Sequence, residues 1–196
     1  MNVPVLLVHG LWDSSEDLEP LRAALHRSAI TRTAAIDLEP NDGAVGVAAL
    51  AAQVRAAADA LRERYESEKL DVVGFSMGAL VSRYYVQRLG GKARVRRYVS
   101  IAGPHAGTLT AHFAKLAVAR EMRPGSALLR ELAGDVDPWS GVEVHCFITP
   151  ADLMIVPAKS GVLAGAREVR VFPVAMHRWM ITDQGVMDAV VEVLGK

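Results

Sequence analysis

The sequence predicts an α/β fold in which a mostly parallel sheet is covered by helices on both faces. Short apolar, β-branched runs recur along the chain. Most are continuous rather than alternating with polar residues, as expected for strands buried on both faces. Helical patterns separate these runs, and such alternation is typical of parallel strands joined by right-handed crossovers. No internal repeat or linker divides the sequence, so we expect one domain over residues 1–196.

Six runs are interpreted as strands, at residues 3–8, 33–36, 70–75, 95–101, 142–148 and 168–172. The helical patterns between and after them cover residues 16–28, 47–66, 77–89, 110–122, 126–132 and 182–194. The longest interval between two strands, 102–141, is the only one with room for a small cap over an active site. An ordinary crossover helix followed by a surface loop explains this interval equally well.

The composition excludes several classes of partner and site. The chain has 22 basic and 22 acidic residues, which gives no electrostatic reason to expect nucleic acid or an anionic membrane as a partner. The single cysteine, Cys146, excludes an internal disulfide and any metal cluster built on cysteines. Because Cys146 lies within the apolar run 142–148, we interpret it as a buried side chain and not as a nucleophile.

The sequence shows no targeting or membrane-spanning segment. Met1 and Asn2 lead directly into the first apolar run, with no basic segment and no small-residue cleavage site. Every apolar run is too short to cross a bilayer. We therefore expect a cytoplasmic protein without stable membrane insertion, or a secreted one whose signal peptide has been removed. The oligomeric state stays open, and a monomer is compatible with the sequence.

The segment VVGFSMG, residues 72–78, places one serine between a strand pattern and a helix pattern. A tight turn of this kind lifts the side chain of Ser76 above the sheet, and Gly74 and Gly78 leave room for it. The backbone N–H of Met77 then lies at the start of a helix, where it can donate to a developing oxyanion. These features predict a nucleophilic serine. A glycine-rich turn without chemistry is the alternative interpretation.

A second oxyanion donor is expected from the loop after the first strand, where the sequence reads VHGLW. Gly10 permits a sharp turn that leaves the N–H of Leu11 free to face the same pocket as that of Met77. His9 precedes the serine and adjoins a strand end, so we interpret it as a hydrogen-bonded structural histidine and not as a catalytic base.

The acid and the base are expected after the serine. Asp152 is a lone carboxylate in the apolar segment TPADLMIVP, at the end of the fifth strand, where open α/β sheets place their sites. A buried carboxylate needs a cation or an N–H group as a partner. His177, which begins the last helical pattern after the sixth strand, is a suitable one. Ser76, Asp152 and His177 are therefore the candidate nucleophile, acid and base.

Other titratable residues are weaker candidates. Asp135 and Asp137 precede the fifth strand in a Gly-Asp-Val-Asp-Pro segment that is typical of a turn. The remaining histidines have no two members with ligand spacing on one helix face, so we expect no metal site. These histidines are His26, His105, His112 and His145.

The motifs together resemble those of the small bacterial lipases and carboxylesterases of the α/β-hydrolase superfamily, over nearly the whole chain. The similar segments, in family order, are VLLVHGLW, VVGFSMG, SIAGPHAGT, REMRPGSALLREL, TPADLMIVP and MHRWM. The resemblance implies Ser76 as nucleophile, Asp152 as acid, His177 as base, and Leu11 and Met77 as backbone oxyanion donors. The chain departs from the family in an acid loop that is one residue longer and in the longer interval 102–141.

We therefore expect a serine hydrolase that needs no cofactor or metal and cleaves small-molecule or lipid esters through an acyl-enzyme. Apolar residues beside the site favour uncharged acyl chains, and Ile155 among them is expected to pack in the core instead. Because any cover from 102–141 is small, we expect activity on short- to medium-chain esters in true solution, without a sharp increase at an oil interface. The proposed substrate-binding residues are Trp12, Leu153, Met154 and Met180. Two alternatives are another reaction of the same triad (thioester cleavage, lactone opening or acyl transfer) and a non-catalytic ligand-binding protein on a hydrolase scaffold.

Overall fold

In the computed structural model of the protein, which describes residues 3–196, six parallel strands form one sheet in the order β2-β1-β3-β4-β5-β6. This arrangement confirms the predicted fold class. Met1 and Asn2, which contributed to the expectation about a targeting segment, lie outside the described residues. The strands are β1 (Val5–Val8), β2 (Thr33–Ile36), β3 (Leu70–Phe75), β4 (Val95–Ile101), β5 (Glu143–Ile148) and β6 (Glu168–Val171).

Helices cover both faces of the sheet because successive strand residues point to opposite sides. One core lies between the sheet and helices α1 and α6, and the other lies under α2 and α3 with contributions from α4 and α5. None of the helices in residues 3–196 combines the length and the apolar character that a membrane crossing requires. The helices are α1 (Glu19–Arg27), α2 (Val47–Arg64), α3 (Met77–Arg88), α4 (Ala117–Glu121), α5 (Ala127–Ala133) and α6 (Gln184–Gly195).

The turn from β3 into α3 is very tight. Ser76, between them, has φ 53° and ψ −123°, a backbone conformation that residues other than glycine rarely adopt. Its amide donates to the carbonyl of Ile101 at 2.9 Å, which fixes the turn against β4. A Cβ on Gly74 would lie 2.6 Å from the Cα of Ala79, and one on Gly78 would lie 2.2 Å from the carbonyl oxygen of His9. Both glycines are therefore required by backbone approaches, as the sequence predicted.

The interval between β4 and β5 differs from its prediction. A single helix over residues 110–122 was expected, but the structure has a 3₁₀ turn at Leu109–His112 followed by the separate short helix α4. The reason is that the start of the segment bonds to another loop instead of continuing a helix. The hydroxyl groups of Thr108 and Thr110 both donate to the carbonyl of Met154 at 2.7 Å. The amide of Leu109 donates to the carbonyl of Val156.

The end of α4, near the middle of the same interval, is attached to the body of the protein. The carboxylate of Glu121, at the end of α4, accepts a hydrogen bond of 2.6 Å from the amide of Val47, the first residue of α2. An acidic group in this position satisfies a free amide and interacts favourably with the helix dipole. The segment is thus both the crossover between β4 and β5 and a cover that is bonded to the fold on two sides.

We predict that Gly78→Ala destabilises the protein by roughly 1–3 kcal/mol or more, since the new Cβ overlaps backbone that cannot move independently. The free energy of unfolding would be measured by urea denaturation. Gly134→Ala is the matched control, because a Cβ there has its nearest neighbours at 3.5 and 3.6 Å. Equal stability of the two variants would contradict the packing described for the tight turn at Ser76.

Candidate active site

The structure brings the three residues singled out by the sequence into one hydrogen-bonded series. The Nε2 atom of His177 lies 2.9 Å from Oγ of Ser76, and Nδ1 lies 2.8 Å from Oδ2 of Asp152. An ionised carboxylate only accepts hydrogen bonds, so the imidazole proton belongs on Nδ1. Nε2 is then free to accept from the serine hydroxyl. This is the geometry that general-base activation of a serine requires.

The loop after β5 fixes the direction of Asp152. Its Oδ1 atom accepts hydrogen bonds of 2.8 Å from the amides of Met154 and Ile155, which leaves Oδ2 to meet His177. The side chain of Asp152 is only 2% exposed, so the carboxylate interacts with His177 in surroundings that screen it weakly. The additional residue in this loop, compared with the family pattern, is accommodated without turning the carboxylate away.

Two backbone amides lie beside Ser76 without an intramolecular acceptor. Met77 is the first residue of α3, so its N–H belongs to the group of amides that a helix leaves unsatisfied. In the loop after β1, Trp12 and Asp13 donate to the carbonyls of Asn41 and Gly10. Within residues 3–196 the amides of Leu11 and Met77 donate to no protein atom. Both are therefore available to an oxyanion.

A cavity of about 520 Å³ opens in front of Ser76. Trp12, Leu153 and Met154 line it, as the sequence predicted for them, and Trp12 is 64% exposed at its edge. The sequence did not identify the wall that the 102–141 interval supplies, because only the length of that interval indicated a cover. The additional lining residues from this interval are Thr108, Thr110, Ala111, Phe113, Ala114, Ala119 and Met122.

The prediction that Met180 lines the substrate pocket is wrong. Met180 has no exposed surface and packs in the core shared with α6. It lies three residues after His177 in the 3₁₀ turn His177–Ile181, where it points inward while Trp179 is 56% exposed. Met176, on the other side of His177, lines the cavity instead. Ile155 is only 4% exposed, in keeping with core packing, yet it also contributes to the cavity wall.

The competing candidates have structural partners elsewhere. Nε2 of His9 accepts from the amide of Leu38 at 3.0 Å, and its Nδ1 lies 2.8 Å from the carbonyl of Gly10, which agrees with a structural histidine. His105 is buried, which lowers its pKa well below the usual value. Asp135 bonds Arg88 at 2.7 Å, and Asp137 holds the amide of Ser140 in a turn.

Arg178, the cation at the cavity edge, is paired with two carboxylates. Arg178 lies 2.6 Å from Asp17 and 3.2 Å from Asp13, and both Asp13 and Arg178 line the cavity. Burial raises the pKa of Asp13, while the Arg178 guanidinium opposes this shift. Hydrogen bonding to Asp17 raises the pKa of Arg178. Arg178 therefore presents no unpaired positive charge to a ligand.

Metal and thiol chemistry find no support in the described part of the chain. No group of three or more potential ligands among residues 3–196 is arranged to hold a metal ion. Cys146 is fully buried in β5, and burial raises the pKa of its thiol to about 11, so it is not a nucleophile at neutral pH.

Comparison with known proteins places this chain in a family. Residues 4–136 match the family model described as palmitoyl protein thioesterase. The chain belongs to the palmitoyl protein thioesterase family. The matched residues include Ser76, Leu11 and Met77, and the match ends before Asp152 and His177. Palmitoyl-protein thioesterase 3 of Dictyostelium discoideum is 28% identical over 116 residues, which cover 58% of this chain and 39% of that protein. The alignment thus spans about two-fifths of that relative's length.

Solved structures confirm the α/β-hydrolase fold that the motifs implied. Lipase B of Aspergillus fumigatus has a TM-score of 0.82 at 15% identity, with 99% of this chain and 52% of that chain covered. The mature lipase BlEst2 of Bacillus licheniformis has a TM-score of 0.78 at 16% identity, with 98% and 91% covered. A Listeria innocua protein, the lin2722 gene product, has a TM-score of 0.73 at 19% identity, with 99% and 94% covered. At these identities the likeness concerns the fold.

We predict that Met180→Ala lowers the free energy of unfolding by about 2–5 kcal/mol, because it leaves a cavity in the core. Met154→Ala is the control, since that side chain is 49% exposed and should change stability far less. Both values would come from chemical denaturation monitored by circular dichroism. A Met180→Ala variant with unchanged stability and altered acyl-chain preference would restore the sequence-based interpretation of this residue.

Proposed function

We propose that this protein hydrolyses thioesters and oxygen esters of apolar carboxylic acids through an acyl-enzyme on Ser76. The observation that carries the proposal is the series Ser76–His177–Asp152, which faces an apolar cavity beside two free amides. Membership of the palmitoyl protein thioesterase family supports the thioester as the principal substrate class. The proposal thus combines a site geometry with a family relationship.

The geometry supports a two-step mechanism. Nε2 of His177 takes the proton of Ser76 as Oγ attacks the carbonyl carbon, and Asp152 stabilises the resulting imidazolium. The carbonyl oxygen becomes an oxyanion that the amides of Leu11 and Met77 bind. The tetrahedral intermediate then expels the thiolate or alkoxide, which receives the proton from His177. Water, activated by the same imidazole, attacks the acyl-enzyme, releases the acid and restores the serine.

The cavity indicates which acyl groups fit. Its lining is mainly apolar, with contributions from Leu153, Met154, Phe113 and Met122, so it favours an uncharged hydrocarbon chain. A volume of about 520 Å³ lies within the range of roughly 300–1,000 Å³ that is usual for small-molecule sites. The preference for short- to medium-chain acyl groups stays a prediction, as does activity in true solution without a sharp increase at an oil interface.

The thiol or alcohol released from the substrate is expected to carry no phosphate group. Among the described residues that line the cavity, Arg178 is the only Lys or Arg side chain, and both Asp13 and Asp17 are bonded to it. A thiol that carries several phosphate groups would need unpaired cations to replace its hydration. We therefore favour thioesters and esters whose leaving group has no phosphate.

An enzyme that acts mainly on oxygen esters is the second candidate, and one distance is compatible with it. Nε2 of His177 lies 2.9 Å from Oγ of Ser76, where it can return a proton to a departing alkoxide. Alkoxides are poor leaving groups without such protonation, whereas thiolates depart more easily. A site with this base therefore meets the greater demand of an oxygen ester as well as the lesser demand of a thioester.

The proposal can be tested with two substrates that differ in one atom, the octanoyl esters of N-acetylcysteamine and N-acetylethanolamine. We predict hydrolysis of both, with the larger kcat/KM for the thioester, and labelling of Ser76 by a fluorophosphonate. Ser76→Ala should reduce activity on the order of 10⁴-fold or more. Ser82→Ala, a buried position on α3 whose hydroxyl has no partner in residues 3–196, is the matched control and should stay active.

Each outcome of this test has a distinct meaning. A larger kcat/KM for the oxygen ester would mean that the enzyme is mainly a carboxylesterase and not mainly a thioesterase. Labelling without turnover of either substrate would indicate a different acyl transfer. A folded wild-type protein that neither reacts with the phosphonate nor cleaves either ester would refute the proposed function.

We predict that Asp152→Asn lowers kcat by roughly 10²–10⁴-fold, because an amide favours the wrong tautomer of His177. Asp135→Asn and Asp137→Asn should have little effect, since these carboxylates bond Arg88 and a turn amide far from the cavity. Steady-state kinetics on the thioester would give the three values. If Asp135 or Asp137 were the sensitive position, the assignment of the acid would be wrong.

A further inference from the structure

One side chain outside the three central residues holds the turn that carries Leu11. Asn41 lies in the connection between β2 and α2. Its Nδ2 group donates to the carbonyl of Gly10 at 3.3 Å and to the carbonyl of Asp13. Its own backbone carbonyl accepts from the amide of Trp12 at 3.3 Å. Three backbone groups of residues 10–13 therefore bond to Asn41, and the amide of Leu11 is left free between them.

The turn needs such support because its conformation is unfavourable on its own. Trp12 has φ 62°, in the left-handed region that a large side chain rarely adopts. A residue keeps such a conformation only where its surroundings determine it from several directions. The hydrogen bonds from Asn41 to Gly10 and Asp13 hold the backbone on both sides of Trp12, and so help to keep Trp12 in this conformation.

The two free amides differ in what fixes them. The amide of Met77 is held by the regular geometry of α3, with the close approaches of Gly74 and Gly78 on either side. The amide of Leu11 lies in a loop without regular structure, so its direction depends on side-chain contacts. Asn41 makes two of those contacts, to the carbonyls of Gly10 and Asp13, and Nδ1 of His9 makes a third, to the carbonyl of Gly10 at 2.8 Å.

The hydrogen bonding of the Asn41 side chain also indicates that its donors, and not its acceptor, matter at this position. Its Oδ1 atom is buried and has no hydrogen-bond partner among the described residues. An unpaired buried acceptor is unfavourable for folding. The amide side chain therefore serves this position through its Nδ2 donors, and its acceptor brings no stability in return.

We propose that Asn41 is a positioning residue that directs the N–H of Leu11 towards the oxyanion, acting through Gly10 and Asp13 without touching the substrate. This inference rests on the proposed function, since it concerns the same reaction. Loss of Asn41 should disturb one of the two oxyanion donors and leave in place the other donor and the cavity walls that residues 108–122 and 153–155 supply. It should therefore weaken binding of the transition state much more than binding of the substrate.

The test uses Asn41→Ala and Asn41→Asp, the second of which keeps the size but faces two carbonyl oxygens with an acceptor. We expect kcat to fall on the order of 10²-fold, as for the loss of one oxyanion donor, with KM changed less than about threefold. Asp42→Asn is the matched control. Asp42 is exposed and bonds only the amide of Ala44 in its own loop, so this variant should keep wild-type kinetics.

Two inhibitors separate positioning from general stability. A trifluoromethyl ketone with an octyl chain forms a tetrahedral oxyanion on the serine, whereas octanoic acid amide resembles the ground state. In the Asn41 variants the inhibition constant of the ketone should rise in proportion to the loss of kcat/KM, and that of the amide should stay constant. Circular dichroism and thermal unfolding would establish that each variant is folded at the assay temperature.

Several results would overturn this proposal. These are variants with wild-type kcat, equal weakening of both inhibitors, or failure of both variants to fold, which would make Asn41 a residue for folding alone. Should only the alanine variant fail to fold, the aspartate variant decides. Failure of the proposed function is recognised separately, because the wild-type protein would then neither react with a fluorophosphonate nor hydrolyse either octanoyl substrate.

Discussion

The close contact between the start of α3 and the end of β1 is the constraint on which the site depends. Gly78 lies so near the carbonyl oxygens of Val8 and His9 that no side chain fits between them. This contact places Ser76 and Met77 directly beside the loop that carries Leu11. The proposed nucleophile and the two proposed oxyanion donors therefore share one rigid junction of backbone, whose geometry is set by hydrogen bonding in the sheet and by steric contact.

The proposed acid and base reach this junction from the other half of the sheet. Asp152 and His177 follow β5 and β6, and the hydroxyl of Thr149 joins their two loops by donating to the carbonyl of Val174 at 2.6 Å. Because all six strands are parallel, every one of these loops emerges at the same edge. Residues 101 positions apart, such as Ser76 and His177, can then meet at hydrogen-bonding distance.

Much of this could be predicted from the sequence, for a physical reason. Buried strands and the glycine-flanked turn at Ser76 depend on local patterns, and the chain order of Asp152 and His177 follows from the topology. The role of Met180 depended on which side of a 3₁₀ turn faces inward, and Asn41 depended on three contacts with residues about thirty positions earlier. Neither has a local pattern. The break in the helix expected at 110–122 likewise came from bonds to the distant carbonyl of Met154.

Met154 takes part in three different contacts around the site. Its side chain lines the cavity, its amide bonds Asp152, and its carbonyl receives the hydroxyl groups of Thr108 and Thr110. A backbone shift that reshaped the acyl site on this side would also move the acid. The cavity can instead be enlarged or narrowed by side-chain substitution in the segment 102–141, where Ala111, Ala114 and Ala119 line it with small side chains. The loop that carries Asp152 is therefore the part of the cavity wall that tolerates less change, and the segment with the three alanines is the part that tolerates more.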